Sequence, residues 1–265
     1  MYLNYWKFEK PPFANVPSKF LFYRSPQHAE AFSRLLYVIE HRKGVAMLTG
    51  EVGCGKTTVT KVLMNQLDRE KYQLQMLFNP ALTPNELIKA ILINFGDRSE
   101  NGSKPVLLDR LRSRLVRNSE QGISTVLAID EAHVIGKQET LDEIRMLLNL
   151  QANDQFLISL ILLGQPPLLK RISELQPLKE RISVKFHLEP LDYHNTQRYI
   201  IYRLKSVGAM RGMFSKESIP PIYNYSGGIP LRINNVCDRA LLIGYMRKAS
   251  MINSAIVDEA IEDLQ

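Results

Sequence analysis

One octapeptide, residues 50–57, restricts the fold of this chain more than any other segment. It reads Gly50-Glu51-Val52-Gly53-Cys54-Gly55-Lys56-Thr57 and matches the pattern GxxxxGK[ST]. It lies between an apolar run at residues 45–49 and a stretch with helical periodicity. Glycines let such a loop curl so that its N–H groups and the N-terminus of the following helix face a phosphate. The sequence therefore predicts a parallel sheet whose first strand leads into a phosphate-binding loop.

Strand and helix patterns alternate through the first two thirds of the chain, as in a sheet built from strand-helix-strand units. Apolar runs predict strands at 45–49, 73–78, 125–129, 157–163 and 184–188, and helical periodicity predicts helices at 56–67, 84–95, 106–116 and 141–150. From residue 191 onward the pattern is helical, with Asp192, Ser215 and Ser254 as expected N-caps. We therefore expect a P-loop α/β core with the N-terminal segment at residues 1–189 and a small all-helical lid domain at 190–265.

The helix expected at 84–95 has a well-defined start. Thr83 can cap it, Pro84 suits the first turn, and Glu86 follows three residues after Thr83. This combination predicts a capping box, in which each side chain accepts from the other residue's backbone N–H.

Composition limits the class of protein. Of the 265 residues, 45% are hydrophobic and 23% are charged, which is typical of a folded globular chain. A net charge of +7 suits a polyanionic partner such as a nucleotide, nucleic acid or acidic lipid. Cys54 and Cys237 lack CxxC or Cys/His spacing, which argues against a disulfide framework or a structural zinc site. No signal-peptide pattern or membrane-length apolar run occurs, so we expect a cytoplasmic protein without direct membrane insertion.

The helix predicted at 106–116 is rich in arginine. Its leucines fall on one face and leave Arg110, Arg112, Arg114 and Arg117 for the other. Two interpretations stay open: a solvated helix face, which is the commoner case, or a surface that contacts nucleic acid.

The octapeptide supplies the candidate nucleotide-binding residues. Lys56 is expected to reach the β- and γ-phosphates, and the Thr57 hydroxyl is expected to bind Mg²⁺. The Cys54 thiol, near a helix N-terminus, is either a reactive group with a lowered pKa or simply a small residue. The predicted nucleotide contacts within this segment are Gly50, Glu51, Val52, Gly53, Cys54, Gly55, Lys56, Thr57 and Thr58.

Two acids end the apolar strand predicted at 125–129. Asp130 suits the coordination shell of Mg²⁺, and Glu131 suits the general base that polarises an attacking water. Paired acids after a strand are weak evidence alone, but together with the upstream loop they predict nucleotide hydrolysis. His133 follows closely, and a surface or packing role is the simpler interpretation for it.

With both motifs placed, the chain resembles the AAA+ ATPases, and within them the ExeA/GspA-like group of bacterial ATPases. The resemblance runs in order along nearly the whole chain. It is carried by Pro12-Phe13, Phe20-Leu21-Phe22-Tyr23 with Ser25 and His28, Leu48-Thr49-Gly50-Glu51-Val52-Gly53, Asp130-Glu131-Ala132-His133, Gly164-Gln165-Pro166, Glu180-Arg181-Ile182 and Ser226-Gly227-Gly228-Ile229-Pro230 with Ile233-Asn234.

This resemblance implies a doubly wound core followed by a helical lid, with ATP as the nucleotide and a neighbouring subunit completing the site. It implies that Gln165 senses the γ-phosphate and that Arg181 is the arginine finger for the adjacent subunit. Relatives commonly read Pro-Arg-Leu-Ile-Asn where residues 230–234 of this chain read Pro-Leu-Arg-Ile-Asn, so that the arginine, Arg232, stands one position later. The shift rotates Arg232, the candidate second sensor, by roughly 100° around a helix.

Three functions follow from the motifs and the resemblance together. The first is an oligomeric, ATP-driven switch of the secretion-accessory type, whose partners are copies of itself and another protein. The second is an ATPase that assembles on duplex DNA and recruits or regulates a transposase. The third is an ATP-gated scaffold with negligible turnover.

Overall fold

The computed structural model describes residues 2–16, 18–97, 102–152 and 154–265. The strands are β1 (Val45–Gly50), β2 (Tyr72–Leu77), β3 (Ser124–Ile129), β4 (Gln151–Ala152), β5 (Gln155–Phe156), β6 (Ile158–Gly164) and β7 (Ile182–Leu188). The α-helices are α1 (Tyr2–Trp6), α2 (Pro26–Glu40), α3 (Lys56–Gln66), α4 (Pro84–Asn94), α5 (Lys104–Glu120), α6 (Gln138–Leu147), α7 (Pro167–Ser173), α8 (Gln176–Lys179), α9 (Tyr193–Lys205), α10 (Ile219–Ser226), α11 (Pro230–Met246) and α12 (Ser254–Glu262).

Five of the described strands form one sheet in the order β2-β3-β6-β1-β7, and β4 pairs with β5 in a small antiparallel hairpin. The β2–β3, β3–β6 and β1–β6 pairs are parallel. All residues of β1 and β6 are buried, which explains why these strands appear in the sequence as continuous apolar runs. The predicted α/β fold with a parallel sheet and a helical C-terminal portion is confirmed.

The five predicted sheet strands are confirmed to within two residues at each end. The four helices predicted in the core are also present, with α5 and α6 offset by two to four residues. The capping box is confirmed: Glu86 N–H donates to Thr83 Oγ1, and Thr83 N–H donates to Glu86 Oε2 at 2.8 Å. No prediction covered α2 or the β4–β5 hairpin.

The N-cap predictions beyond residue 190 have mixed outcomes. Asp192 caps α9, since its Oδ1 accepts from Asn195 N–H at 2.7 Å. The prediction for Ser254 is wrong, because Asn253 caps α12 through a bond from Ile256 N–H. Ser215 precedes a short 3₁₀ turn and makes no side-chain capping bond.

The chain divides into two compact units. Unit 1 comprises Met1–Ala29, Glu51–Thr58 and Leu188–Gln265, and unit 2 comprises Glu30–Gly50 and Val59–His187. In unit 1 the N-terminal segment packs into the helical core, where Trp6 Nε1–H donates to Leu241 O at 2.9 Å. The core of unit 2 lies between the sheet and helices α4 to α8. The predicted domain division at 189/190 stays a prediction.

No helix among the described residues combines the length and apolar character that a bilayer crossing needs.

Candidate functional site

The phosphate loop connects β1 to the first turn of α3, where the octapeptide predicts it. Gly53 (φ +85°) and Gly55 (φ +101°) both adopt left-handed backbone conformations, which glycine reaches without steric cost. A Cβ on Gly53 would lie 2.5 Å from the Leu231 Cβ, and one on Gly55 would lie 3.0 Å from His28 Nε2. Both glycines are therefore required by conformation and by close neighbours.

Lys56 folds back over the loop. Its Nζ donates to the Glu51 carbonyl at 2.9 Å, and Cys54 N–H donates to the same carbonyl at 3.3 Å. The Lys56 side chain is buried, whereas Thr57 and Thr58 in the first turn of α3 are half-buried. The loop is thus closed around its own lysine.

Burial decides the chemistry of Cys54. Its thiol is buried, and desolvation raises the pKa of Cys54 to about 11 despite the positive charge of Lys56 nearby. The thiol therefore stays protonated at neutral pH. Of the two interpretations of this residue, the lowered pKa is wrong, and Cys54 acts as a small buried side chain.

His28 also contacts the loop, and sequence reasoning assigned it no role there. Its Nε2 lies 3.0 Å from the Cys54 carbonyl oxygen, and its Nδ1 lies 2.6 Å from Ser25 Oγ. Both residues are buried, and the Phe22 ring stands edge-on to the imidazole. The available signal was the Ser25 and His28 spacing in the opening segment, but nothing local connects that spacing to a loop 26 residues away.

The N-terminus of α11 contacts the loop from within the same unit. Leu231 N–H donates to the Gly53 carbonyl at 3.3 Å, and its side chain packs against Gly53. This bond satisfies an N–H of the first turn of α11, which has no side-chain cap. Arg232, the next residue, is exposed.

The two acids lie at the carboxyl end of β3. Asp130 is buried, and its N–H donates to the Leu77 carbonyl at 2.9 Å, which continues the β2–β3 pairing by one residue. Glu131 adopts a left-handed conformation (φ 54°, ψ 36°), and its N–H donates to Asp130 Oδ1 at 3.0 Å. A left-handed residue other than glycine is strained by roughly 1–3 kcal/mol, and such strain is typical of functional positions.

His133 lies between Glu131 and Gln165. Its Nδ1 accepts from Gln165 N–H at 3.4 Å and therefore carries no proton there, so its 3.2 Å approach to Glu131 Oε2 is a close contact and not a hydrogen bond. The His133 carbonyl accepts from Arg171 Nη1–H at 3.0 Å, which holds the segment after the acids against α7. His133 therefore has a packing role beside the candidate base, and it bonds the backbone of the candidate sensor.

The candidate residues of unit 2 lie at two opposite ends of the sheet strands. Asp130 and Glu131 follow the carboxyl end of β3, and Gln165 follows that of β6. Arg181 instead precedes the amino end of β7, where its Nη2–H donates to Asn149 Oδ1 at 3.4 Å. Ser183 bonds Val45 near the start of β1, so β7 begins beside the amino end of β1. Arg181 thus lies at the opposite sheet edge from the other three.

The residues present fit a nucleotide and Mg²⁺. The loop is a cradle whose two left-handed glycines have no room for a Cβ, and it opens α3 with a lysine. A threonine hydroxyl and an aspartate carboxylate are hard oxygen donors of the kind Mg²⁺ prefers. Asp130 follows the carboxyl end of β3, and the loop follows the carboxyl end of β1. Both strands pair in parallel with β6, which lies between them, so the two carboxyl ends are on the same side of the sheet.

Solved structures similar to this chain have the same fold at low sequence identity. Cdc6p from Pyrobaculum aerophilum matches 95% of this chain and 70% of its own, with a TM-score of 0.75 and 15% identity. The Aeropyrum pernix ORC2 protein, solved as ADPNP-ADP complexes, matches 96% and 72%, with a TM-score of 0.72 and 15% identity.

Two sequence comparisons identify the family. General secretion pathway protein A of Aeromonas hydrophila is 34% identical over 256 residues, which cover 95% of this chain and 46% of that protein. This chain thus spans about half the length of that relative. The profile of the AAA domain family AAA_22 matches residues 39–172. The chain therefore belongs to the AAA domain family of AAA+ proteins and is similar to general secretion pathway protein A.

Proposed function

We propose that this chain is a Mg²⁺-dependent ATPase that acts as an ATP-driven oligomeric switch of the secretion-accessory type. One observation carries the proposal: a closed phosphate loop follows β1, and a strained Glu131 follows a buried Asp130 at the same edge of the sheet. The secretion role rests on the 34% identity with general secretion pathway protein A.

The phosphate loop and α3 bind the triphosphate in this proposal. Loop N–H groups and the positive end of the α3 dipole face the phosphates, and Lys56 exchanges the Glu51 carbonyl for phosphate oxygens. Mg²⁺, held by Thr57 and Asp130, supplies charge neutralisation of the phosphates. Thr58, the third residue of α3, adds a further polar contact.

Glu131 takes the role of general base. A base must lie within hydrogen-bond reach of the water it activates, and the left-handed backbone of Glu131 turns its side chain out of the strand direction. Its carboxylate Oε2 lies 3.2 Å from His133 Nδ1. Gln165, whose backbone N–H bonds the same imidazole nitrogen, senses the γ-phosphate in this proposal.

Arg181 serves a neighbouring subunit in this proposal. Within its own chain it precedes the amino end of β7, at the opposite end of the sheet strands from Asp130, and its guanidinium makes a long bond to Asn149 Oδ1 at 3.4 Å. Such a position suits a finger that stabilises transferring charge in another copy. Arg232, exposed at the start of α11, is the proposed second sensor.

The proposal is tested by phosphate release and by mixing. We expect Arg181→Ala to bind ATP normally and to turn over slowly. Its mixture with Glu131→Gln should recover part of the activity, because some mixed sites combine the intact Glu131 of the first variant with the intact Arg181 of the second. Activity that never recovers at any mixing ratio would contradict a shared site. Wild-type turnover near background would instead support the ATP-gated scaffold.

A second candidate is an ATPase that assembles on duplex DNA, and α5 favours it. Arg110, Arg114 and Arg117 lie within about 60° of one another around this helix, on the flank of the buried leucine face. We expect the triple alanine variant to lose DNA affinity and to show a shallower salt dependence. Arg112→Ala, about 140° or more around the helix from the other three, is the matched control. Absence of DNA binding by wild type at low salt with ATP would remove this candidate.

A further inference from the structure

The peptide units that follow Gly53 and Cys54 are held by groups outside the loop. Leu231 N–H at the start of α11 bonds the Gly53 carbonyl, and His28 bonds the Cys54 carbonyl. A trans peptide is planar, so its N–H points away from its C=O. Fixing the Cys54 carbonyl toward His28 therefore fixes the Gly55 N–H in the opposite direction, away from the imidazole.

The geometry also fixes the protonation of His28. A carbonyl oxygen only accepts, so the contact at 3.0 Å requires a proton on Nε2. Ser25 Oγ–H then donates to the unprotonated Nδ1 at 2.6 Å, which selects the neutral Nε2–H tautomer. Burial lowers the pKa of His28, in agreement with a neutral ring at pH 7.

We infer that His28 is a positioning residue for nucleotide binding, because its Nε2–H, held in place by Ser25, orients the Cys54–Gly55 peptide so that the Gly55 amide faces the phosphates. The inference rests on the proposed ATP-binding function of the same loop. It adds a contribution from the N-terminal segment that the octapeptide does not contain. Within the loop His28 bonds the backbone carbonyl of Cys54, and in the proposed function the loop binds the ligand.

Three variants separate this role from plain packing. His28→Phe keeps a ring against Phe22 and removes the donor, whereas His28→Gln keeps an N–H donor that reaches as far as Nε2. His41→Phe is the matched control, because His41 is exposed and directly follows α2, and its Nδ1 contacts the carbonyl of Tyr37 in that helix. Thermal unfolding without nucleotide establishes that each variant is folded.

The readout is the affinity for a fluorescent ATP analogue and for inorganic tripolyphosphate as its competitor. We expect His28→Phe to weaken both by about tenfold, the equivalent of one lost amide-phosphate hydrogen bond. His28→Gln should stay within about threefold of wild type, and His41→Phe should match it. KM for ATP should rise in His28→Phe with little change in kcat, since the interaction acts on bound ground state and transition state alike.

The outcomes distinguish this inference from the function on which it rests. If folded His28→Phe binds tripolyphosphate as tightly as wild type, while Lys56→Ala has lost binding, the inference about His28 is overturned and the proposed ATP-binding function stands. Wild type that binds neither ATP nor tripolyphosphate overturns both. If His28→Phe does not fold, Ser25→Ala decides: a loss of about threefold supports the inference, and unchanged affinity overturns it.

Discussion

The phosphate loop follows the buried strand β1, and the acid pair follows the buried strand β3. The contacts that hold the two segments come from different parts of the chain. Residues far away in sequence fix the loop, since His28 and Leu231 bond two of its carbonyls. The acidic end is fixed by its neighbours in the sheet, through Asp130 N–H and the Leu77 carbonyl, and by the strained turn at Glu131. A motif can therefore contain its candidate chemical groups within one short segment while its conformation depends on the rest of the fold.

The largest expected effect is at the acidic end. Glu131→Gln should lower phosphate release by about 1,000-fold and leave nucleotide affinity nearly unchanged, because an amide does not accept the proton of water. Glu139→Gln, exposed in the first turn of α6, is the control and should behave as wild type. Equal phosphate release from Glu131→Gln and wild type would remove Glu131 from the mechanism.

The next effect is on binding by the loop. Lys56→Ala should weaken the affinity for a fluorescent ATP analogue by about 100-fold, since a charge-assisted bond to phosphate is lost. Lys61→Ala tests whether any positive charge on α3 matters, because Lys61 instead lies over the Phe78 ring at 5.1 Å. Comparable losses in the two variants would mean that the loop has no special role for its lysine.

A pair of glycine variants measures how much the contact between the loop and Leu231 contributes to the free energy of unfolding. Gly53→Ala should lower the free energy of unfolding by about 2–3 kcal/mol, through left-handed strain and the clash with Leu231. Gly96→Ala, with φ +89° and nothing within 4 Å, should cost only about 1 kcal/mol for the strain. Denaturant unfolding compares them, and equal losses would show that the Leu231 contact adds nothing.

The smallest effect is a pH dependence of stability at His28. Burial lowers the pKa of His28 in the folded state below its ordinary value of 6.5, so the unfolded chain binds more protons as pH falls through 6.5. Wild type should therefore lose stability on acidification below that pH, and His28→Gln should lose less. Unfolding curves between pH 7 and pH 5 measure the difference. Parallel curves would contradict a buried neutral imidazole.

Three central strands, β1, β3 and β6, were predictable because they are buried along nearly their whole length. A parallel strand covered on both faces appears as an unbroken apolar run, and the runs that became β1, β3 and β6 lie within a residue of their observed limits. The candidate residues of the loop and the acid pair were identifiable too, since each group is contiguous in sequence. Their assigned roles in binding and hydrolysis stay predictions.

Contacts between distant segments were not predictable. The cap of α12 illustrates this: Asn253 and Ser254 are both good cap residues, and local sequence does not choose between them. Ile252 N–H bonds Met213 O, and Ser215 N–H bonds Ile252 O, so the extended segment ends at residue 252 and Asn253 becomes the cap. His28 and Cys54 meet for a similar, nonlocal reason.

The bond from Lys56 to the Glu51 carbonyl gives the buried ammonium an acceptor within the loop itself. An ammonium that leaves water without a partner is costly, but here the peptide oxygen already solvates it. If the loop binds a triphosphate as proposed, Lys56 would exchange this carbonyl for phosphate oxygens and return to it on product release, so that the ammonium has an acceptor in both states.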